Sequence, residues 1–242
     1  MGSRNTATAK ITAILFDLDG TLLPMDNDLF TKGYFKLLVR KLAPYGYEQQ
    51  ELVGAIWKGT AAMVKNNGSQ SNYDVFWKVF ADTLGERVYD TKSVFDDFYE
   101  NEFNGAKVLC GMNSKAAKAV NNLKQQGYRV ALASNPIFPM TAQKARIMWA
   151  GVDPDEFKLI TSYENSAYCK PNPEYYIDIA KKLGIAPEEC LMVGNDVDED
   201  MIAQTVGMSV FLLTDNIINR ENKDISVYPN GGFDDLLNYI AR

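Results

Sequence analysis

The chain has no histidine at all and only three cysteines among its 242 residues: Cys110, Cys169 and Cys190. The lack of histidine excludes serine–histidine and cysteine–histidine hydrolases, together with the usual histidine-bound zinc sites. The three cysteines are scattered and show no CxxC spacing, which favours a reduced cytoplasmic protein over a disulfide framework. Two broad groups of proteins, histidine-dependent enzymes and disulfide-stapled secreted domains, are thereby set aside.

Basic residues are also too few for a general nucleic-acid binder. The chain has 25 Lys and Arg against 31 Asp and Glu, a formal net charge of -6, and no Lys/Arg cluster marks a basic face. An anionic substrate remains compatible with this charge, because a metal ion can reverse the local field. No apolar run approaches the ~18 residues of a membrane helix, and the first residues, MGSRNTATAK, lack the apolar core of a signal peptide. We expect a cytoplasmic protein that binds neither nucleic acid nor membrane.

Short apolar runs recur along the chain, and helical patterns lie between them. With 46% hydrophobic residues, a chain of this length can form one large domain or two small ones. The runs are typical of buried parallel strands and occupy residues 11–16, 128–134, 157–161, 190–194 and 208–213. The helical patterns occupy residues 114–126, 141–150, 173–183 and 198–206. This alternation predicts an α/β fold with a doubly wound, Rossmann-like parallel sheet.

The stretch from about Pro24 to Lys107 breaks the alternation, because it contains no convincing strand. Apolar residues recur there at helical spacing in four segments, which are separated by breakers at 44–46, 66–69 and Gly85. Four helices of this length can bury a core of their own. We therefore predict an inserted all-α domain at residues 24–107, and an α/β domain formed by residues 1–23 and 108–242.

The inserted segment is rich in aromatic residues. The most prominent of them are Trp57, Phe76, Trp77, Phe80, Phe95 and Tyr99. The simplest interpretation is that they form the core of the inserted domain. The alternative is that single rings face a crevice and stack on a substrate.

Asp17-Leu18-Asp19-Gly20-Thr21 directly follows the first predicted strand. In an extended segment, residues two apart project to the same side, so the two carboxylates can face one point. Such a pair suits one nucleophile and one proton carrier with a hard cation between them. Gly20 allows a sharp turn, and Thr21 can offer a hydroxyl to a phosphate oxygen. The ordinary alternative is a polar strand end followed by a solvated turn.

Two further polar positions follow later runs. Ser134 and Asn135 come after the second run, and each side chain can donate a hydrogen bond to an anionic oxygen, although the pair also suits helix capping. Lys170 precedes a predicted helix between residues that include two prolines, which fix the backbone and leave the ammonium as the functional group. Taken alone, a lysine in this place is usually a solvated charge.

The fourth motif, residues 194–200 (GNDVDED), follows the fourth run. Acids at the start of a helix often interact with its dipole, and that explanation suits Asp198 and Glu199. In an open α/β sheet, however, a ligand binds outside the carboxyl ends of the strands, so all four motifs converge on one crevice. We therefore expect one site built from all four.

The order of these motifs, DLDGT, then SN, then KP, then GNDxxxD, resembles the haloacid dehalogenase superfamily of phosphatases. The resemblance covers about residues 11–22 and 108–213, and the helical cap of that family matches the inserted segment. It implies that Asp17 is the nucleophile and Asp19 the general acid and base. It also implies that Ser134 binds the phosphoryl group and that Lys170 orients and neutralises it, with Asn135 as a weaker member of the same cradle.

The fourth motif departs from the commonest family form, which has Gly-Asp where this chain has Gly194-Asn195. Either Asn195 binds the metal through its amide oxygen, or Asp196 binds it with its charge. Magnesium prefers anionic oxygen, so Asp196 is favoured, and Asp200 would then act around the metal or through a water. The complete predicted set of metal-binding residues is Asp17, Asp19, Asp196, Asn195 and Asp200, with Mg²⁺ as the cofactor.

These features predict a magnesium-dependent phosphohydrolase of small phosphorylated metabolites that acts through an aspartyl-phosphate on Asp17. Asp19 argues against dehalogenation, because a departing halide needs no proton. The motifs do not separate a phosphatase from a sugar-phosphate phosphomutase, which shares the first step. A catalytically silent binding module of the same fold is a third alternative, kept open by Asn195. The physiological substrate and the oligomeric state do not follow from the sequence.

Overall fold

The computed structural model describes residues 10–241. Most of the stretch on which the signal-peptide argument rests, residues 1–9, lies outside the described residues. Within them, six strands form one parallel sheet in the order β3-β2-β1-β4-β5-β6. The strands are β1 (Ala13–Phe16), β2 (Arg129–Leu132), β3 (Leu159–Ile160), β4 (Cys190–Gly194), β5 (Ser209–Leu213) and β6 (Asn230–Gly231). The predicted doubly wound α/β sheet is confirmed.

β1 is the central strand, because it pairs with both β2 and β4. Ala13 is in register with Arg129 on one side and with Cys190 on the other. Successive side chains of a strand point to opposite faces, so Ile14 and Phe16 pack on one side of the sheet and Ala13 and Leu15 on the other. Helices cover both faces, which explains why the strands appear in the sequence as continuous apolar runs.

Nine α-helices lie within the described residues. They are α1 (Asn27–Leu42), α2 (Gln49–Val64), α3 (Asn72–Leu84), α4 (Arg87–Asp90), α5 (Lys92–Glu100), α6 (Ser114–Gln125), α7 (Met140–Trp149), α8 (Pro173–Leu183) and α9 (Phe233–Ile240). The buried residues of α6, α7 and α9 pack against the Ile14 face of the sheet, and those of α8 pack against the Ala13 face. β6 and α9 were not predicted; β6, with two residues, is too short to show a pattern.

The inserted segment is helical as predicted, but its helix count differs. The four longer helices are α1, α2, α3 and α5. The single-turn α4 lies between α3 and α5, and a 3₁₀ helix, Glu102–Leu109, follows α5. Its apolar core is continuous with that of the sheet: Ile14, Phe30 and Phe80 belong to one cluster of buried side chains. Division of the chain into two domains at residues 24 and 107 therefore stays a prediction.

The helix predicted at residues 198–206 was wrong in type and start. A 3₁₀ helix, Met201–Val206, follows a turn instead. The cause is Asp196, whose Oδ1 accepts hydrogen bonds from the backbone N–H groups of Asp198 and Glu199 at 2.9 and 3.0 Å. A short polar side chain that binds the backbone two or three residues ahead stabilises a turn in place of a helix.

None of the helices within residues 10–241 is both long enough and apolar enough to cross a bilayer.

Candidate active site

A polar crevice of about 190 Å³ lies outside the carboxyl ends of β1, β2 and β4. The predicted site residues that line it are Asp17, Asp19, Ser134, Asn135, Asn195, Asp196 and Asp200. Parallel strands bring their carboxyl ends to the same edge of a sheet, which is why segments so distant in sequence meet there. Thr21 and Lys170, also predicted, lie behind this lining, where they are 2% and 1% exposed.

The loop after β1 positions two carboxylates. The backbone N–H of Asp17 donates to the Val193 carbonyl at 2.9 Å, so the ladder with β4 continues one residue beyond the strand. The chain then turns, with the Leu18 carbonyl accepting from the N–H of Thr21 at 3.1 Å. Residues 18–21 therefore form a turn, and not the extended segment that the sequence predicted for the two carboxylates. Asp17 and Asp19 nevertheless both reach the crevice, while Leu18 between them is fully buried.

Gly20 and Asn195 form a close contact behind the crevice. Gly20 has φ +83°, and a Cβ there would lie 2.3 Å from Asn195 Nδ2, so only glycine fits without a shift. Asn195 Oδ1 accepts from the Thr21 hydroxyl at 2.9 Å, and Asn195 Nδ2 donates to the Asn216 carbonyl at 2.7 Å. Both polar ends of the Asn195 amide are thus engaged within the protein. The Thr21 hydroxyl, expected to face phosphate, points to Asn195 instead.

Lys170 links two of the acids. Its Nζ donates to Asp17 Oδ1 at 2.8 Å and to Asp200 Oδ1 at 2.7 Å. Burial alone would lower the pKa of Lys170, but the Asp17 and Asp200 carboxylates raise it well above its ordinary value, so the ammonium stays charged. Burial raises the pKa of Asp200, and Lys170 opposes that shift. Gly194 leaves room for Asp200, because a Cβ at residue 194 would lie 2.0 Å from that carboxylate.

Asp19 is paired with Arg146, a residue that the sequence analysis missed. Arg146 lies on α7, is fully buried and donates from Nη1 to Asp19 Oδ2 at 2.5 Å. Burial raises the pKa of Asp19, Arg146 opposes that shift, and the charge of Asp17 adds to it; the net pKa is raised. Asp19 Oδ1 is buried without a hydrogen-bond partner. The available signal was that Gln143 and Arg146, three residues apart, stand on the apolar side of a helix.

Ser134 and Asn135 follow β2. The Ser134 carbonyl accepts from the hydroxyls of Thr161 and Tyr175 at 2.7 and 2.8 Å, which fixes the loop that carries both residues. Asn135 Nδ2 lies 3.4 Å from Glu199 Oε2, and Asn135 Oδ1 is buried without a partner. Asn135 therefore presents an unsatisfied acceptor at the crevice, while its donor faces a carboxylate.

Glu199 and Arg220 complete the crevice wall. Glu199, which the sequence analysis assigned to a helix dipole, lines the crevice instead. Arg220 Nη1 donates to Asp196 Oδ2 at 2.7 Å, and the Arg220 side chain is 56% exposed. Arg220 lies in the loop after β5, where no pattern distinguishes it from a solvated charge.

The charges of the described side chains do not balance in this site. Five carboxylates line the crevice (Asp17, Asp19, Asp196, Glu199 and Asp200), and three cations pair with four of them (Lys170, Arg146 and Arg220). The formal excess is two negative charges, which would repel a phosphate. The donors are all oxygen, the type that suits a hard cation. Among residues 10–241 no three Asp, Glu, Cys or His side chains form a metal-holding group by themselves.

The chain is similar in sequence to proteins of a known family. The family model of the haloacid dehalogenase-like hydrolases matches residues 11–204. The glyceraldehyde 3-phosphate phosphatase of Methanothermobacter thermautotrophicus is 26% identical over 220 residues, which cover 89% of this chain and 91% of that one. The phosphoglycolate phosphatase of Nitrosospira multiformis is 25% identical, over 83% of this chain and 82% of its own. Pyrophosphatase PpaX of Bacillus cereus is 24% identical, over 82% and 81% of the two chains.

Solved structures share the fold. A HAD phosphatase from Thermococcus onnurineus superposes with a TM-score of 0.57 at 18% identity, covering 95% of this chain and 98% of that one. A predicted phosphoglycolate phosphatase from Haemophilus somnus superposes with a TM-score of 0.56 at 20% identity, covering 95% and 97%. The similarity extends over nearly the whole chain, including the inserted helices.

Proposed function

The chain belongs to the haloacid dehalogenase-like hydrolases, and on that footing we propose that it is a magnesium-dependent phosphatase of small phosphorylated metabolites that acts through Asp17. The observation that carries the proposal is the position of Asp17 at the end of the central strand, in the crevice and 2.8 Å from the Lys170 ammonium. Relatives named for phosphatase and pyrophosphatase activity agree with it.

Asp17 is the proposed nucleophile. Lys170 holds Oδ1, and the other carboxylate oxygen attacks phosphorus, so that an O–P bond forms as the ester O–P bond breaks. The product is an aspartyl-phosphate and a free alcohol. Water then attacks the same phosphorus and releases inorganic phosphate and the Asp17 carboxylate. The charge of Lys170 favours both steps, because negative charge develops on the phosphoryl oxygens.

Asp19 is the proposed proton carrier. It gives its proton to the leaving alcohol oxygen in the first step and takes one from the attacking water in the second. Its raised pKa supports this role, because a carboxyl group must hold a proton near neutral pH to act as an acid. Arg146 holds one oxygen of Asp19 and so fixes the direction in which the other faces.

Mg²⁺ is the proposed cofactor, with Asp17 and Asp196 as its carboxylate ligands. Magnesium is commonly bound through one or two carboxylates with water and substrate phosphate, so a protein site need not contain three acids. When bound, the cation would offset the two excess negative charges and polarise the phosphoryl oxygens. Asn195 is the weaker candidate because its amide is uncharged and both of its polar ends are engaged, by Thr21 and Asn216. The oxygens of Asp196 also accept hydrogen bonds, from two backbone N–H groups and from Arg220, but its carboxylate carries the charge that Mg²⁺ prefers. Asp19 and Asp200, also predicted to bind the metal, would lie near it without being its direct carboxylate ligands.

The inserted helices are proposed to act as a cap over the crevice. Asn27, Phe30 and Thr31, from α1, line the crevice beside the catalytic acids. The lysines of the second inserted helix and its end, Lys58 and Lys65, are exposed and do not line the crevice. The part of the inserted segment that borders the crevice directly is therefore an uncharged face of α1.

Asp17→Asn tests the proposal. We expect p-nitrophenyl phosphate turnover with Mg²⁺ to fall by about three orders of magnitude or more, while the melting temperature changes little, because the swap is isosteric and keeps an acceptor for Lys170. Asp155→Asn, which replaces an exposed acid that does not line the crevice, is the matched control and should retain activity. Wild-type protein with Mg²⁺ and beryllium fluoride should carry a phosphate mimic on Asp17.

Full activity in Asp17→Asn would refute the nucleophile. Release of alcohol without an equal amount of inorganic phosphate, when a sugar phosphate is present as acceptor, would favour the phosphomutase alternative. No hydrolysis by the wild-type protein of any ester would favour the silent binding module.

A further inference from the structure

A second cavity, of about 100 Å³, lies among the helices of the inserted segment. Its walls come from α1, α2, α3 and α5, from the loop after β2 and from Tyr163. Of the residues described between 10 and 241, fifteen line this cavity; nine are aromatic and none is charged. We call it the aromatic cavity.

The aromatic cavity adjoins the catalytic crevice. Thr31, Ile137 and Phe138 line both spaces. Ile137 and Phe138 follow Ser134 and Asn135 in the same loop, so one short segment borders the proposed phosphoryl site and the cavity beside it. A phosphate ester held at Asp17 therefore has its alcohol part directed toward either solvent or this cavity.

The wall of the aromatic cavity remains uncharged. The hydroxyls of Tyr34 and Tyr99 bond to each other at 2.8 Å, and burial raises the pKa of Tyr34 to about 12 and that of Tyr99 well above its ordinary value. Neither therefore ionises near neutral pH. Arg146 stacks on the Phe138 ring, 4.3 Å from its centre, but its guanidinium is paired with Asp19. An anionic group entering the cavity would lose its hydration, and none of the described residues that line the cavity carries a charge to compensate it. The ammonium of Lys92 lies over the Trp77 ring, 5.4 Å from its centre, but Lys92 does not belong to the lining.

Some features distinguish the cavity from an ordinary gap in a helical core. Trp57, expected in the core, is 53% exposed at its wall, so the cavity reaches the surface of the cap. The indole N–H of Trp77 is buried and makes no well-formed hydrogen bond, although the Tyr163 hydroxyl is near. The hydroxyls of Thr31 and Thr60 also stand at the wall. A ligand there would meet aromatic faces and a few polar atoms, the usual composition of a small-molecule site.

We propose that the aromatic cavity binds the alcohol part of the substrate, and that the substrate is the phosphate monoester of an uncharged, mainly apolar alcohol of about one ring in size. At about 100 Å³ the aromatic cavity is smaller than the engineered apolar cavity of roughly 150 Å³ that accepts benzene, so it suits at most a single ring or a short branched chain. The inference rests on the proposed phosphatase function. It differs from the substrates that name two of the relatives, since glycolate and pyrophosphate carry additional charge, and from glyceraldehyde 3-phosphate, whose alcohol part is uncharged but polar.

The first experiment compares turnover with Mg²⁺ of benzyl phosphate, glycerol 3-phosphate and phosphoglycolate. We expect kcat/KM for benzyl phosphate to exceed that for phosphoglycolate by about 100-fold, because a carboxylate is rejected where no cation compensates it. Glycerol 3-phosphate, uncharged but polar in its alcohol part, should lie between them. Equal or faster turnover of phosphoglycolate would overturn the inference while leaving the phosphatase function intact.

The second experiment measures binding without turnover, and so separates this inference from the proposed function. Benzylphosphonate and phosphonoacetate have a P–C bond in place of the ester P–O bond, so the proposed reaction cannot hydrolyse them. Their binding in the presence of Mg²⁺ is measured by titration calorimetry. Tighter binding of benzylphosphonate, by about tenfold or more, is expected even if no ester is turned over. Tighter binding of phosphonoacetate would refute the inference.

Substitutions at the cavity wall test whether the alcohol part binds in the aromatic cavity. Thr60→Glu places a carboxylate at the cavity wall and should weaken benzylphosphonate binding about tenfold or more, whereas Ala61→Glu adds the same charge on the exposed side of the same helix and should change it less than twofold. If Thr60→Glu does not fold, Trp57→Ala removes a half-exposed ring and should weaken binding severalfold. Unchanged affinity in the folded variants would show that the alcohol part lies elsewhere.

Discussion

Replacement of Lys170 by methionine is the most direct test of the buried charge network in the crevice. The Lys170 side chain is 1% exposed and pairs with Asp17 and Asp200, whose side chains are 11% and 1% exposed. Removing one partner of a buried ion pair destabilises a protein by about 3–5 kcal/mol, because the remaining charge is left unpaired. Asp17 reaches the crevice and can be hydrated, so most of this loss should come from Asp200.

The destabilisation should depend on pH in a defined direction. The pKa of Asp200 is raised by burial and held down by Lys170, so Lys170→Met should raise it further. A carboxyl group with a raised pKa in the folded state lowers stability at pH values above that pKa, and protonation relieves the loss as the pH falls through it. We therefore expect the difference in free energy of unfolding between variant and wild type to be largest at pH 8 and clearly smaller at pH 5.5.

Urea unfolding followed by circular dichroism, at both pH values, measures this difference. Lys181→Met, on an exposed position of α8, is the matched control and should change stability by less than about 0.5 kcal/mol. A loss for Lys170→Met of the same size at pH 5.5 as at pH 8 would refute the assignment to a buried carboxylate. No loss at either pH would show that the two ion pairs do not form.

Two further predictions concern the chemistry of the crevice. Asp19→Asn should slow esters with poor leaving groups by about 100-fold or more relative to p-nitrophenyl phosphate, because a good leaving group hardly needs a proton; equal slowing of both would mean that Asp19 has another role. Asp196→Asn should raise the Mg²⁺ concentration needed for half-maximal activity severely, since a charge beside the cation is lost, whereas Asn195→Ala should mainly lower the urea midpoint by releasing Thr21 and Asn216. Metal loss in Asn195→Ala alone would reverse the assignment.

The sheet and the location of the crevice could be predicted because both depend on local sequence patterns. Each strand is an apolar run that stops at a polar motif, and parallel strands bring those motifs to one edge. Asp17, Ser134 and Asp196 were therefore identifiable without coordinates as lining one site. The residues that hold them in place, such as Tyr175 at the Ser134 carbonyl, show no comparable pattern because they act through packing between distant segments.

The ion-pair partners of the acids were harder to predict. Lys170 lies next to a proline within a recognisable motif. Arg146, by contrast, is an arginine within α7, and Arg220 is an arginine within the long loop after β5, and neither belongs to a motif. Charge alone does not distinguish such residues from the many basic residues that face solvent. What distinguishes Arg146 is its place on the buried side of a helix, beside Gln143, and that becomes clear only once the side of the helix that faces the sheet is known.

In the two proposals, the crevice and the aromatic cavity would bind two parts of one substrate that differ in charge: the phosphoryl group and the alcohol part. In the proposed function, the crevice, with five carboxylates and three paired cations, would accept a phosphoryl group only together with an added cation. The adjoining aromatic cavity, whose described lining residues are uncharged, would accept the alcohol part of the substrate only if that part brings no charge. Thr31, Ile137 and Phe138 mark the boundary between these requirements. We therefore expect substitutions on α2 to alter substrate selection without altering phosphoryl transfer, and substitutions in the loop after β1 to do the reverse.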